Sequence, residues 1–300
     1  MKKFLTLFIV LFSIFLVACL DKNVENKITN KNSIQKNSSI LTVHFIDVGQ
    51  GDSTLILTPD NKTMLIDGGD NSQGEKIKNY LKKLNVNKID VLVGTHPDAD
   101  HIGGLDYIID NFEISEFYMP RKSHTTKTFK DVLIAAKNKG LAIKEAKYGV
   151  VFNLGDYVKC EILNPVKKYG SDNNQWSAVI KAKYNNKSFL FTGDAEFKNE
   201  EDMIKSGSNL KSNILKLGHH GSSSSTSEKF LKIVNPDVAV VSCKYKNKYG
   251  HPHKEILNLL KKYNIPLYRT DEQGSLVFYC DGNEIWTDKK PGTYNYYGNK

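Results

Sequence analysis

Four side chains that can bind a divalent metal ion lie within six residues of one another, directly after the apolar run Val91–Val93. They are His96, Asp98, Asp100 and His101. Imidazoles and carboxylates at a strand end, followed here by Gly103 and Gly104, can hold one or two ions and leave coordination positions open for water. Metal-assisted hydrolysis requires such an arrangement. We therefore predict a metal site here, with Asp100 acting either as a ligand or as a base.

Short strands and amphipathic helices must position this segment. Apolar runs and alternation predict strands at Leu41–Ile46, Ser53–Leu57, Thr63–Ile66, Ser177–Tyr184, Lys187–Thr192, Ile214–Leu217 and Val238–Ser242. Helical periodicity predicts helices at Gly74–Leu84, Asp131–Lys139, Glu200–Ser206, Glu228–Ile233 and Lys254–Lys262. Grouped strands with interspersed helices favour an α/β fold in which sheet packs on sheet and the helices lie outside. A dinucleotide-binding fold is disfavoured, because Gly49 and Gly51 lack a third glycine and open no helix.

The first nineteen residues have the pattern of a bacterial export signal. Two lysines precede the apolar run Phe4–Val17, and the sequence Leu-Val-Ala-Cys ends at Cys19. This ending resembles a lipobox, so we predict a lipoprotein signal peptide over residues 1–19 and lipidation of Cys19. An ordinary signal peptide and a short membrane anchor are the alternatives. In each case we expect the following domain outside the cytoplasm, and lipidation would anchor it to the extracellular face of the cell membrane.

The rest of the chain divides by composition. Asn, Lys and Ser dominate residues 20–40 without apolar periodicity, which predicts a flexible tether. We expect one hydrolase domain over residues 41–287 and a polar C-terminal tail over residues 288–300. The formal net charge of +9 favours polyanions such as nucleic acid, teichoic acid or anionic lipid as partners.

Three cysteines remain beyond the predicted lipidation site, namely Cys160, Cys243 and Cys280. Their spacing fits no zinc-binding pattern, and three thiols cannot all pair internally. Two of them end strand-like runs, which predicts buried, inert thiols. One disulfide remains an alternative.

Seven motifs together resemble the metallo-β-lactamase superfamily. They occupy the segments Phe45–Ser53, Leu65–Gly69, Thr95–Gly104, Asn174–Ser177, Phe191–Glu196, Leu215–Ser225 and Tyr249–His253. More narrowly, their order is similar to that in the soluble hydrolase domain of the competence DNA-uptake proteins often called ComEC or Rec2. The resemblance implies a four-layer αββα sandwich with the metal site at one edge, between the two sheets.

The resemblance also implies metal ligands beyond the first segment. Asp194 corresponds to the acid that bridges two metal ions in the superfamily. Of His219 and His220, one is expected to bind metal and the other to contact the substrate or leaving group. Strand alternation favours His219 as the ligand without deciding between them. Asp67 is expected to hold the ligand segment by hydrogen bonds.

The same resemblance suggests residues on the substrate side of the site. Those expected to take part in catalysis are Asp100, Lys216, His220 and His251. Those expected to contact the substrate are Asn174, Ser177, Ser222, Ser225 and His253.

The chain departs from the general superfamily pattern in two ways. Asp98 stands where the superfamily has a second histidine, as it does in the competence proteins, and a carboxylate there makes manganese or magnesium as plausible as zinc. The only histidine between His101 and His219 is His124, in a lysine-rich loop, so one of two possible ions lacks a ligand. We therefore expect one or two divalent ions.

These observations favour a secreted, lipid-anchored hydrolase that cleaves phosphodiesters, most plausibly in nucleic acid, with a metal-activated water. A phosphorylcholine or teichoic-acid phosphodiesterase is the alternative enzyme. A non-catalytic surface-binding lipoprotein is the alternative of another class. It is disfavoured because a degenerate site should have lost some of the residues that are all present here, namely His96, Asp98, Asp100, His101, Asp194, His219 and His220. We expect no transmembrane channel, since no other apolar segment approaches the length that would span a bilayer.

Overall fold

Two mixed β-sheets form the centre of the fold in the computed structural model, which describes residues 39–298. The first sheet contains β1 (Leu41–Phe45), β2 (Thr54–Leu57), β3 (Thr63–Ile66), β4 (Lys88–Val93), β5 (Glu113–Met119), β6 (Ile143–Glu145), β14 (Leu276–Cys280) and β15 (Ile285–Trp286). The second contains β7 (Val151–Leu154), β8 (Val158–Asn164), β9 (Val179–Tyr184), β10 (Lys187–Phe191), β11 (Ile214–Lys216), β12 (Val238–Val241) and β13 (Leu267–Arg269). The strand orders are β15-β14-β1-β2-β3-β4-β5-β6 and β13-β12-β11-β10-β9-β8-β7.

The helices cover the outer faces of the two sheets. They are α1 (Gly74–Lys83), α2 (Ala99–Ile102), α3 (Leu105–Asn111), α4 (Lys127–Asn138), α5 (Phe197–Lys205), α6 (Glu228–Val234), α7 (Lys254–Lys262) and α8 (Thr270–Gln273). One apolar cluster lies between the sheets, where Phe45 meets both Phe191 and Phe278. A second cluster joins the first sheet to α1, α3 and α4, and a third joins the second sheet to α5, α6 and α7. These layers confirm the predicted αββα sandwich.

Most predicted elements form, with boundaries shifted by local chemistry. The helix expected from Asp131 begins four residues earlier, because the Thr126 hydroxyl accepts a hydrogen bond from the Phe129 amide and caps its first turn. The short helix α2 lies in a segment that we expected to be a loop. Four residues are too few to show a helical period, but the Asp98 carbonyl accepts the amides of His101 and Ile102.

The strand order places several strand ends at one edge of the sandwich. Strand β4 is parallel to β3 in the first sheet, and β10, β11 and β12 are parallel to one another in the second. Parallel strands end at the same edge, so the segments after β4, β10 and β11 meet there. Those segments carry His96, Asp194 and His220.

Two further expectations concern the ends of the chain. The predicted signal peptide, Cys19 and nearly all of the predicted tether lie outside the described residues. Residues 288–298 form no helix or strand, yet the buried Arg269 guanidinium donates to the carbonyls of Thr293 and Asn295 and ties this segment to the domain.

The predicted state of the thiols is confirmed. The three cysteines of the described part are free and buried, and burial raises the pKa of the Cys280 thiol to about 11. Within residues 39–298, no helix combines the length and the apolar character needed to cross a bilayer.

Candidate metal centre

The ligand segment folds tightly because glycines allow other backbone to approach it. A Cβ at Gly103 would overlap the Ala99 carbonyl oxygen and the amide nitrogen of Asn71. At Gly51, where φ is +133°, a Cβ would overlap the Asp100 carbonyl oxygen. The Asp52 amide also donates to that carbonyl, at 3.1 Å. The first strand-connecting turn and α2 therefore pack directly against each other.

The Asp194 carboxylate lies among four imidazole rings. Its oxygens are 3.2 Å from Nε2 of His101, 3.5 Å from Nε2 of His220, 3.8 Å from Nε2 of His219 and 3.9 Å from Nε2 of His96. The Asp194 side chain is only 5% exposed. This convergence comes from loops that follow three different strands.

Buried polar atoms in this cluster fit a divalent ion. Within the described residues, Nε2 of His96, His101 and His220 and one oxygen of Asp194 are buried and make no hydrogen bond of good geometry. Buried polar atoms are normally paired, so such a group calls for a partner. Imidazole nitrogens with a carboxylate oxygen are the donors that zinc, manganese and iron accept.

The donors form two overlapping groups. In the first, ligand atoms of His96, His101 and Asp194 lie within 4.8 Å of one another, and an Asp98 oxygen is 3.5 Å from Nε2 of His96. In the second, ligand atoms of Asp100, His101 and His220 meet the same limit. Asp98 and Asp100 thus lie in different groups, and whether each binds metal stays a prediction.

Asp67 holds His101 from behind, as expected from the sequence. One of its oxygens is 2.8 Å from Nδ1 of His101, which leaves Nε2 of that ring directed at Asp194. Both Asp67 oxygens accept hydrogen bonds from Thr95, through its amide and its hydroxyl, each at 2.7 Å. A carboxylate in this position fixes the ring orientation and the tautomer of a metal-binding histidine.

Asp52 and Lys216 form a buried ion pair next to the second group. The Lys216 amine lies 2.5 Å from an Asp52 oxygen, and both side chains are 3% exposed. The other Asp52 oxygen is 3.4 Å from Nδ1 of His220. Lys216 therefore pairs with Asp52 in the structure, whereas we expected it to take part in catalysis on the substrate side. Asp52 belongs to the motif segment Phe45–Ser53 of the sequence analysis.

The geometry favours His220, and not His219, as the ligand. Strand β11 ends at Lys216, and both histidines lie in a turn with positive φ, at 47° and 53°, so strand alternation does not apply to them. Nε2 of His220 is buried and lies 3.3 Å from an Asp100 oxygen. The His219 side chain is 25% exposed.

Opposite charges overcome desolvation throughout the cluster. Burial disfavours the charged form of Asp194, yet His101 and His220 hold the pKa of this carboxyl well below its usual range. Burial likewise opposes protonation of His220, but Asp194 and Asp52 raise the pKa of this imidazole to about 10. Positive charge on the imidazoles thus stabilises the buried carboxylates, and a divalent ion would supply that charge in place of protons.

A family model for the metallo-β-lactamase superfamily matches residues 46–244, a span that contains the cluster from Asp52 to His220. The chain belongs to the metallo-β-lactamase superfamily. Members of this superfamily are metal-dependent hydrolases, in agreement with the predicted reaction class.

Relatives of the chain include proteins named for competence and recombination. ComE operon protein 3 of Bacillus subtilis is 32% identical over 253 residues, which are 79% of this chain and 32% of that protein. Competence protein ComA of Neisseria gonorrhoeae is 33% identical over 82% of this chain and 33% of its own length. Recombination protein 2 of Haemophilus influenzae is 30% identical over 81% of this chain and 29% of its own length. The chain thus spans about a third of the length of these curated relatives.

Solved structures of the superfamily share the fold. YhfI, a metallo-β-lactamase fold protein from Bacillus subtilis, aligns with a TM-score of 0.53 and 12% identity over 80% of this chain and 99% of its own. CmlA, a diiron β-hydroxylase from Streptomyces venezuelae, aligns with a TM-score of 0.52 and 12% identity over 76% of this chain and 52% of its own. At such identities the likeness supports the fold alone.

Three side chains that we expected to contact the substrate or to take part in catalysis lie beside the metal-binding cluster. Asn174 is partly exposed, and its amide is 3.4 Å from Nδ1 of His219. The Ser222 hydroxyl is 3.0 Å from the Ser224 hydroxyl. The His251 ring lies 5.3 Å from the His219 ring, and burial and the neighbouring histidines lower the pKa of His251 to about 3.

Three other expected contacts have internal partners in the structure. The buried Ser225 hydroxyl donates to the Gly218 carbonyl at 2.6 Å. The Ser177 hydroxyl, also buried, accepts the Asp194 amide at 3.1 Å and so helps to place this carboxylate. Nδ1 of His253 accepts the Ser223 amide at 2.9 Å. These groups hold the loops of the centre.

Glu196 is a site residue for which the sequence analysis assigned no role. Its Oε1 lies 3.3 Å from Nδ1 of His219 and accepts the Ser224 hydroxyl at 2.8 Å. The contact with His219 holds the pKa of Glu196 below its usual value despite partial burial. Its place two residues after Asp194 was the available signal, since both follow the same strand.

Proposed function

We propose that this chain is a metal-dependent phosphodiesterase that acts on nucleic acid at the outer face of the bacterial membrane. The observation that carries the chemistry is the shared Asp194 carboxylate, which lies between two groups of metal donors and next to one partly exposed histidine. The names of the relatives, which refer to competence and recombination, support DNA as the substrate.

Two sets of residues would hold metal. His96, Asp98 and Asp194 form one set, and Asp100, His101 and His220 form the other, with Asp194 close to both. A divalent ion bound there would act as a Lewis acid on the phosphate and lower the pKa of water in its coordination sphere. The carboxylate at Asp98 supports manganese or magnesium at least as well as zinc.

His219 is the best candidate for the proton donor to the leaving oxygen. Glu196 faces its Nδ1, and its Nε2 is directed toward Asp194. Burial opposes the charged form, but Glu196 and Asp194 raise the pKa of His219 above its usual value, which favours a role as an acid. This exchanges the roles that the sequence suggested for His219 and His220. Asn174 and Ser222 remain candidates for contact with the phosphate.

The membrane anchor is a separate part of the proposal and is supported by the sequence around Cys19 alone. We expect Cys19→Ala to abolish incorporation of a labelled fatty acid and to shift the chain out of the membrane fraction. Equal labelling and equal fractionation of the variant would contradict the anchor without affecting the enzyme.

A cleavage screen of the full-length chain tests the activity. The protein would be assayed with manganese, zinc or magnesium against single-stranded DNA, double-stranded DNA, RNA and phosphocholine esters, with Asp194→Ala as the control. We expect metal-dependent cleavage of nucleic acid by the parent chain only. Cleavage of phosphocholine esters alone would keep the metal chemistry and replace the substrate. Full metal loading with no cleavage of any substrate would favour a non-catalytic binding protein.

A further inference from the structure

The loop between β12 and α7, residues 244–250, presents alternating lysine and tyrosine side chains beside the metal centre. Lys244, Lys246 and Lys248 are exposed, and the exposed fractions of Tyr245 and Tyr249 are 48% and 52%. The sequence contains no acidic residue from position 244 to position 254. Large exposed aromatic rings among lysines are unusual on a surface without a partner.

The loop is rigid because its central side chain is buried and bonded to both of its ends. The Asn247 amide group donates to the carbonyls of Lys244 and His251, at 2.8 and 2.5 Å. Its oxygen accepts the amides of Tyr249 and His251, at 3.1 and 3.0 Å. The loop backbone is therefore already ordered before a ligand binds. Binding then loses less conformational entropy, since the outward side chains are held on a preorganised backbone.

The loop also lies next to the reaction centre. The Tyr249 ring stacks on the His251 ring at 5.6 Å, and His251 is in turn 5.3 Å from His219. On its other side, Lys244 and Tyr245 line a cleft of about 530 Å³ together with Gln50. Nε2 of Gln50 is buried there and has no hydrogen-bond partner among residues 39–298. A polymeric substrate that is bound across the metal centre would contact this loop through the monomers next to the cleaved bond.

Resting on the proposed function, we infer that residues 244–250 form a binding platform for single-stranded nucleic acid. On binding, the flexible Lys246 and Lys248 side chains turn from the Tyr245 and Tyr249 rings to phosphates, and unpaired bases stack on the ring faces that they uncover. The third lysine of the loop contacts a further phosphate. Duplex DNA fits less well, because its bases are stacked on one another and cannot reach the rings. Choline fits less well too. Lys246 and Lys248 place ammonium groups 5.4 and 4.9 Å from the two ring centres, where a second cation would be repelled.

Binding of a cleavage-resistant phosphorothioate strand to the metal-loaded, full-length chain tests this inference. We expect the single strand to bind more tightly than the same sequence as a duplex. Tyr245→Ala combined with Tyr249→Ala should weaken single-strand binding about tenfold or more, since stacking on each ring contributes. The same two positions changed to Phe should retain binding. Tyr157→Ala is the matched control, because Tyr157 is 48% exposed and lies in the β7–β8 turn.

Salt dependence and a small substrate give independent readouts. Changing the three lysines to Gln should reduce the slope of log affinity against log salt by about 2, at roughly 0.7 per lost phosphate contact. Tyr245→Ala should raise KM for an oligonucleotide while turnover of a small phosphodiester stays unchanged.

Two results would overturn the inference, and they differ in what else they affect. Equal binding of single strand and duplex, with alanine and phenylalanine variants alike, would refute the platform and leave nucleic-acid hydrolysis standing. Absence of both binding and cleavage of any nucleic acid, with phosphocholine esters cleaved, would refute the proposed substrate and the platform together.

Discussion

The two groups of metal donors differ in how firmly the protein supports them. In the group of Asp100, His101 and His220, the two imidazoles are buried, and Asp67 and Asp52 face their Nδ1 atoms. The Lys216 amine balances the charge of Asp52 from behind. Every ring on this side is thus held by a second, buried polar group.

The group that contains His96 and Asp98, the open group, has about the same exposure, with Asp98 at 36% and Asp100 at 32%, but no carboxylate faces Nδ1 of His96 among the described residues. The Asp98 side chain is 36% exposed, and its other oxygen accepts a hydrogen bond from Asn173 at 2.6 Å. Nδ1 of His96 faces only the hydroxyls of Thr95 and Ser177, at 3.1 and 3.3 Å. Because supporting carboxylates raise ligand basicity and fix orientation, we expect a tightly held ion in the group of Asp100, His101 and His220 and an exchangeable one in the group of His96 and Asp98.

The largest expected effect follows from removing the carboxylate that lies close to both groups. Asp194→Ala should abolish nearly all activity and lower bound metal at both positions, since ligands of one site act as a unit. Adding Asp100→Ala should cost little more. Elemental analysis and rates of the single and double variants check this. Losses that simply multiply would show that the groups act independently.

The buried ion pair behind the supported group should matter for folding. Lys216→Met leaves the Asp52 carboxylate buried without its cation, and we expect a loss of up to about 3–5 kcal/mol in the free energy of unfolding. Asp52→Asn combined with Lys216→Met should recover much of this loss. Denaturant unfolding of the two variants measures the difference. A double variant as unstable as the single one would contradict the pairing.

Support of His101 by Asp67 should set the affinity of the tighter ion. Asp67→Ala should weaken metal binding about 10- to 100-fold, because the ring loses the group that fixes its orientation. Asn173→Ala, which removes the hydrogen bond to Asp98, is the matched change on the open side and should have a smaller effect. Competition with a fluorescent chelator measures both. A larger loss in Asn173→Ala would reverse our ranking of the two groups.

The stability of the chelated protein should depend on pH, because the buried carboxylates of the supported group favour a charged His220. Asp194 and Asp52 raise the pKa of His220 to about 10 in the folded state against burial, from an ordinary value of 6.5. The resulting stability is fully present below pH 6.5 and is lost as the pH rises toward 10. The temperature of thermal unfolding should therefore fall over this pH window in the chelated protein, and much less in the metal-loaded protein. Parallel curves would refute the assignment.

The smallest change concerns which metal the open group prefers. Asp98→His restores the imidazole of the general superfamily pattern and should shift reactivation of chelated enzyme toward zinc, while manganese should serve the parent chain at least as well as zinc. Reactivation rates with each metal test both statements. The opposite ranking would leave the fold intact and remove the argument from ligand hardness.

The sequence alone was sufficient for the fold class and for the dense part of the site. Apolar runs and alternation predicted most strands, and the close spacing from His96 to His101 identified a metal site without any long-range information. The resemblance then added Asp194 and the histidine pair. Local patterns carry this information because side chains a few residues apart at a strand end must share one edge of the sheet.

Tertiary structure alone decided the relations between distant segments. It placed Lys216 against Asp52, Glu196 against His219, and His220 instead of His219 in the buried cluster. None of these follows from periodicity, because the left-handed turn after β11 breaks strand alternation and reorients both rings. Contacts between loops from two sheets depend on how the layers pack, and that packing is set by the apolar core and not by the residues that it brings together.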